Sequence, residues 1–254
     1  MNIPNYFLVI VPELILILAF TLLVRKKKFF LEIIDTPDNI RKLHDQPTSS
    51  TGGFFILIAV LYLLILDLLN FQHLNHEFNF YLEGFKSKIS FYFVGLCFFL
   101  LGYFDDKHDI KSNIKLILLI LFIYFAQLLN PDLTIRAFYF SFLQQAISLD
   151  KDLALFFTTF SILVFINALN MFDGKNLQIG IYCTIFILLI ILRNPNIILF
   201  LILLSIIIFL SQNYNGKIFM GNNGTHLLGY ILSFLIIKTY NSDEVFMFAD
   251  EIFI

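Results

Sequence analysis

Charge is what this sequence has least of. Only 17 of its 254 residues are Lys or Arg and 19 are Asp or Glu, 14% together, against about 25% in an ordinary soluble domain. A soluble chain of this length could not hide a 59% hydrophobic composition in its own interior. That excludes an ordinary soluble enzyme, and it excludes a disordered chain as well. The formal net charge of −2 offers no pull on a nucleic acid, so that partner is excluded too. Tryptophan is absent, and beside 33 Phe its absence reads as compositional bias. The two cysteines, Cys97 and Cys183, both fall inside apolar runs. Neither has the spacing of a disulfide framework or a thiolate metal site. No repeat, low-complexity linker or compositional break divides the chain, so a single domain over residues 1–254 is expected.

What is present is length upon length of apolar sequence, with a mean hydropathy of +0.83. A helix crosses a bilayer with about 20 such residues. Segments of that character run Tyr6–Val24, Gly52–Leu69, Ile89–Phe104, Ile114–Leu129, Leu153–Leu169, Leu177–Leu192, Ile197–Leu210 and Leu227–Ile237, and another begins near Val245. The fold class expected is therefore all-α, a polytopic integral membrane protein with about eight to nine transmembrane helices. Arg25-Lys26-Lys27-Lys28 follows the first segment without a small-residue cleavage site, which marks a membrane anchor and not a signal peptide. With that basic run in the cytoplasm, the N-terminus lies outside and the larger share of Lys and Arg falls in inner loops. Pro131–Lys151 is apolar but broken by Arg136 and reads as a re-entrant or interfacial connection. His73, His76, Glu77 and Glu83 read as loop residues facing water. Glu13 faces either the bundle interior or the interface.

This alternation places four polar segments on one cytoplasmic face: Asp35–Gly53, Gly102–Lys115, Asn167–Gly180 and Phe209–Gly229. Polar, glycine-containing loops gathered at one membrane surface suit a polar substrate that reacts with a lipid. Asp105 and Asp106 sit where an apolar helix ends. Adjacent carboxylates repel, and a Mg²⁺ shared with substrate phosphates relieves that repulsion; an ordinary charged helix end is the equal alternative. Asn167, Asn170 and Asp173 recur along one helix face, ahead of Gly174. They suit either a metal or nucleotide site or a simple C-terminal cap. Phe219-Met220-Gly221-Asn222-Asn223-Gly224-Thr225 is a glycine-flanked turn opening a helix, with N–H groups free for an anion and Phe219 free to stack on a base.

Taken in order, these segments resemble the polyprenyl-phosphate N-acetylhexosamine-1-phosphate transferase family. The matching residues are Asp35-x-Pro37, Arg41-Lys42-x-His44-x-x-Pro47-Thr48, Gly52-Gly53, Gly102-x-x-Asp105-Asp106, Lys115, Asn167-Ala168-x-Asn170-x-x-Asp173-Gly174, Phe219-Met220-Gly221, Gly224-Thr225 and Leu228-Gly229. They span residues 35 to 232. The resemblance implies Mg²⁺-dependent transfer of a sugar 1-phosphate, an N-acetylhexosamine 1-phosphate, from a UDP-sugar to polyprenyl phosphate. The products are UMP and a polyprenyl-diphosphate-sugar, the initiating step of a bacterial cell-envelope glycan. It further implies a multi-pass enzyme of the bacterial inner membrane with its site on the cytoplasmic face, and a homodimer is compatible with it. Carried over by position, Asp105, Asp106 and Asp173 are catalytic. Lys42, His44, Lys115, Asn167, Asn170, Asn176 and Phe219 bind substrate, with Phe219 under the uracil. Asp105, Asp106 and Asn222 hold the metal.

The sequence departs from that pattern at several places. Asn222 stands where the family has Asp, and Asp173-Gly174-Lys175-Asn176 replaces Asp-Gly-x-Asp. Ser49 and Ser50 stand for Pro and Arg, and the connection from Asn213 to Phe219 is one residue short. The family continues past a ninth helix into a His-rich cytoplasmic loop, and this sequence stops before it. The alternative function is therefore a catalytically inactive or truncated membrane paralogue that binds carrier lipid or a partner. A transporter ranks below both, since few charged residues sit mid-span.

Overall fold

The computed structural model describes residues 6–26, 33–35, 48–70, 74–143 and 145–242. Lys42, His44, His73 and the segment beginning near Val245 lie outside the described residues. In lipid every backbone N–H and C=O must be paired within its own segment, so apolar runs become helices. The described chain is accordingly mostly helical: α1 (Tyr6–Lys26), α2 (Gly53–Leu68), α3 (Asn75–Leu82), α4 (Gly84–Ile89), α5 (Gly95–His108), α6 (Ser112–Leu129), α7 (Lys151–Phe172), α8 (Gln178–Arg193), α9 (Ile197–Asn213) and α10 (Gly221–Tyr240). Among the described residues four helical stretches are long and apolar enough to cross a membrane: Phe7–Val24, Gly84–His108, Ser112–Leu129 and Lys151–Phe172. Gly53–Leu68, Gln178–Arg193 and Ile197–Asn213 are shorter apolar helices. Large apolar side chains such as Phe7, Leu22, Ile117, Phe156 and Leu189 stand exposed on α1, α6, α7 and α8. Such a surface is stable only against lipid.

α4 and α5 are joined without a break by a π-helical turn at Ser90–Val94. A π turn frees backbone groups from the regular ladder, and the Tyr230 hydroxyl donates to the Ser90 carbonyl at 2.7 Å. Tyr230 belongs to α10, the middle of the bundle. From Gly221 to Tyr240 only Asn222 and Ile236 escape full burial, and the helix packs against α5, α7 and α2. Protein surrounds α10 on every side, which lets it carry polar groups that a lipid-facing helix could not. Ser233 donates to the Gly229 carbonyl at 2.8 Å and Thr239 to that of Leu235 at 2.8 Å. Small residues bring its neighbours close. A Cβ on Gly102 would lie 2.2 Å from the Asn222 carbonyl oxygen, and one on Gly229 2.9 Å from Ile166 Cγ1.

The polar connections collect in two groups, at the two ends of α10. At one end, β1 (Ile34–Asp35) pairs antiparallel with β2 (Thr48–Ser49), and Ser49 bridges in parallel to Ile218. At the opposite end Lys88 pairs with Asp67 at 2.6 Å and Lys238 with Asp132 at 3.1 Å. The Pro131–Lys151 connection is not a helix: a 3₁₀ turn at Pro131–Leu133 leads to a hairpin of β3 (Ala137–Phe138) and β4 (Ile147–Ser148). Tyr240 ties the hairpin down through its hydroxyl, which donates to the Ala137 carbonyl at 3.0 Å. One expectation changes and an open one is decided. Glu77 does not simply face water, because α3 brings its carboxylate to the Ile197 N–H at the start of α9. Glu13 lies in the interior, fully buried in α1, which packs on α2 and α9.

Candidate active site

The end of the bundle that carries β1 and β2 also holds the N-termini of α2, α8 and α10 and the C-termini of α5, α7 and α9. Asp105 and Asp106 close α5. Neighbouring residues on a helix do not share a face, and the two carboxylates diverge. Asp105 is buried, accepts from the Ile110 N–H at 3.1 Å and pairs with Lys115 Nζ at 2.8 Å. It fastens the start of α6 to the end of α5. Asp106 turns to α10: its Oδ1 accepts from the Asn222 N–H at 2.9 Å, and its Oδ2 from the Asn223 N–H at 2.9 Å and the Asn223 side-chain amide.

Asp173, just past the end of α7, reaches the same turn, where its Oδ2 accepts from the Gly221 N–H at 2.7 Å. The N–H groups of a first helical turn have no partner within their own helix and form the positive end of its dipole. In α10 three consecutive ones, Gly221 to Asn223, are met by two acids from two other helices. Gly221 has φ +74°, and a Cβ there would lie 2.9 Å from both Asp106 Oδ2 and the Ser50 carbonyl oxygen. The position therefore needs glycine for its backbone and for its space.

The segment 48–53 seals the turn from the other side. Phe219 N–H donates to the Ser49 carbonyl at 2.9 Å, Gly52 N–H to that of Phe219 at 2.9 Å, and Gly53 N–H to that of Met220 at 3.0 Å. Asn223 Nδ2 also donates to the Ser50 carbonyl at 2.7 Å. Asn170 joins from α7, accepting from the Thr225 hydroxyl at 3.0 Å. Asn213, at the end of α9, ties two loops together: Nδ2 donates to the Ile218 carbonyl at 2.7 Å, and Oδ1 accepts from the Leu177 N–H. That bond holds Leu177 at φ +66°, a conformation costly for so large a side chain.

The structure thus brings together Asp106, Asp173, Asn170, Asn222 and the backbone of Phe219. Other expected residues stand apart. Asn167 donates back to the Leu163 carbonyl at 2.8 Å within its own helix. Lys115 is engaged with Asp105, and Asn176 is exposed beside Gly216. Phe219 is 7% exposed, so its ring belongs to the interior in this conformation. Among the described residues no three His, Cys, Asp or Glu side chains gather as a metal cage. Sequence reasoning passed over Asn223 and left Asn213 out of the site. Asn223 is the third residue of α10, and its side chain donates to Ser50 and Asp106 without capping the helix, so no local signal marks it. His226, one turn further along α10, is fully buried with neither ring nitrogen hydrogen-bonded among the described residues.

No curated protein matches the chain. The family model for glycosyl transferase family 4 matches residues 88–240, a stretch that runs from α4 through α10 and includes Asp105, Asp106, Asp173 and the Gly221 turn. More than half of the sequence, and the whole convergence of acids on α10, is covered by that match. The chain belongs to glycosyl transferase family 4, and it is a membrane-associated transferase.

Proposed function

We propose that the chain transfers a sugar 1-phosphate, an N-acetylhexosamine 1-phosphate, from a UDP-sugar to polyprenyl phosphate at the cytoplasmic face of a bacterial membrane. The product would begin a cell-envelope glycan. In this reading the chain crosses the bilayer about eight times between residues 6 and 242, with its N-terminus outside. The observation that carries the proposal is the meeting of Asp106 and Asp173 on consecutive N–H groups of α10, at the end where the polar loops collect.

In the reaction an oxygen of the lipid phosphate forms a bond to the sugar-bearing phosphorus of the donor. The bond from that phosphorus to the bridging oxygen breaks, and UMP leaves with the electron pair. Both reactants are anions, so positioning and charge neutralisation carry most of the catalysis. The donor atoms near the turn are all oxygens. A cage made of protein alone does not fit, whereas a Mg²⁺ that takes one or two carboxylates and completes its shell with water and phosphate does. Asp106, Asp173 and the neutral amide of Asn222 would hold it. Asp173 enters that set in place of Asp105, whose carboxylate already serves Lys115. Bound there, the ion would neutralise phosphate charge. Asp106 and Asp173 also fix the α10 turn against which the phosphates would lie.

The test is UMP release by membranes containing the chain, supplied with polyprenyl phosphate and each UDP-N-acetylhexosamine in turn. Turnover that stops with EDTA and returns with Mg²⁺ supports the proposal. A second reading, a paralogue that binds carrier lipid without turnover, draws on Asn222 and the absence of a third clustered acid among the described residues. It prevails if the native chain is silent with every donor while Asn222→Asp gains activity.

A further inference from the structure

At the far end of the bundle, away from the acids on α10, lies a cavity of about 470 Å³ lined by His76, Asn79, Phe80, Glu83, Asp132 and Lys238, with Asn241 and Ser242 at its edge. Its depth follows from α10. Twenty residues separate the site end from Tyr240, and at 1.5 Å per residue they span about 30 Å, the thickness of a bilayer's hydrocarbon core. With the candidate active site at one membrane surface, as in the proposed function on which this placement rests, the cavity falls at headgroup level in the opposite leaflet.

Its charges form a dipole. Lys238 is 9% exposed, an unusual burial for a lysine. It spends one donor on Asp132 at 3.1 Å and has further donors to give. Asp132 itself is held by the hairpin connection, where Asn241 Nδ2 donates to its carbonyl at 2.7 Å. Glu83, which also lines the cavity, ends α3, exposed and without an ion pair among the described residues. A lone anion would meet two acids in this wall, and a lone cation would meet Lys238. A molecule with a phosphate at one end and a primary ammonium at the other satisfies both. Phe80 supplies an apolar wall, and Phe85, 78% exposed, stands two residues past Glu83 on the lipid-facing surface.

We propose that this cavity binds the phosphoethanolamine headgroup of a phospholipid in the leaflet opposite the candidate active site. The phosphate is held by Lys238 and His76, and the ammonium by Glu83 and the Asn79 side chain. A primary ammonium donates hydrogen bonds to a carboxylate and a quaternary choline cannot, so phosphatidylethanolamine is selected over phosphatidylcholine. Phosphatidylglycerol, with no cationic end, leaves Glu83 unmatched.

The experiment is native mass spectrometry of the full chain, delipidated in detergent and titrated with each of the three lipids at matched acyl chains. Binding is read directly, so the outcome does not depend on whether the chain turns over UDP-sugars. One phosphatidylethanolamine is expected to be retained with at least about tenfold preference over either other lipid, the equivalent of one charge-assisted hydrogen bond. Glu83→Gln should abolish that preference. Because Glu83 is exposed and outside the ion pairs, this variant keeps the fold, whereas Lys238→Met also removes the tie to Asp132 and is read only for loss of total lipid retained. Equal retention of the three lipids, stronger retention of phosphatidylglycerol, or an unchanged preference in Glu83→Gln would overturn the proposal.

Discussion

Asp105 and Asp106 are adjacent in sequence and differ in what they hold, so the two amide substitutions should part company. In Asp105→Asn the pair with Lys115 is lost. The side chains are 5% and 20% exposed. Breaking a fully buried pair costs about 3–5 kcal/mol; Lys115 can partly rehydrate, which brings the expected cost to about 2–3 kcal/mol. The amide oxygen still accepts from the Ile110 N–H, so the end of α5 survives and α6 is loosened. In Asp106→Asn one amide oxygen must replace two carboxylate oxygens that together receive three donors. Turned to serve Asn223, the amide sets its own NH₂ against the Asn222 N–H. One charge-assisted bond is lost and two donors face each other, again about 2–3 kcal/mol.

The two variants are thus matched in stability and separated by function. Unfolding in detergent gives the folded fraction of each, and UMP release is normalised to it. Per folded molecule, Asp105→Asn is expected to stay within about tenfold of the native chain. Asp106→Asn should fall at least about 100-fold, because the turn that positions the phosphates shifts, and a displacement of about 1 Å can cost that much. If Asp105→Asn is as inactive as Asp106→Asn while its folded fraction is unchanged, Asp105 acts in the chemistry and the division of labour drawn from the hydrogen bonds is wrong.

Glycine positions give a second contrast. Gly102→Ala puts a methyl group 2.2 Å from the Asn222 carbonyl oxygen and should sharply lower folded yield, whereas Gly174→Ala meets nothing within 4 Å and should leave yield within twofold, a comparison made by size-exclusion of the solubilised variants. The topology is tested with single cysteines at the exposed positions Lys175 and Lys151 in a chain with Cys97 and Cys183 replaced. An impermeant maleimide should label position 151 from outside intact cells and position 175 only after the membrane is opened, and labelling of both from one side would refute the alternation of spans.

The helices were legible because lipid leaves the backbone one solution. The apolar run Ile114–Leu129 became Ser112–Leu129, and Leu153–Leu169 became Lys151–Phe172. α3 was not legible: Asn75–Leu82 is polar enough to look like a loop, and its structural task, presenting Glu77 to α9, is tertiary. α10 was read short, as Leu227–Ile237, because its first turn is polar. Only when α5, α7 and α2 surround it does burying Asn223 and Thr225 become possible. The motif residues were found by their order along the chain, but order cannot say which way Asp105 and Asp106 face, nor that the Asn223 amide is the group that joins Asp106 to Ser50.

The scarcity of charge with which the sequence begins makes the spending of each charge informative. Among the described residues three acids are matched to lysines distant in sequence: Asp67 to Lys88, Asp105 to Lys115, Asp132 to Lys238. Each match offsets the cost of desolvating its two groups. Asp106 breaks the pattern. Among the described residues it has no Lys or Arg, and its charge is met only by the N–H groups and amide at the positive end of α10. A helix end carries only about half a unit of charge, so a carboxylate placed there remains under-compensated and attracts a cation brought in from outside. Asp173 reaches the same turn. The α10 turn, where Asp106 stands without a lysine among the described residues beside the N–H groups that would face phosphate, is thus where the proposed divalent ion would fit. Asn222 would fit the proposed metal site for the same reason: with two acids already on one turn, a neutral third ligand would lower the repulsion between them and leave more of a bound ion's charge for the substrate.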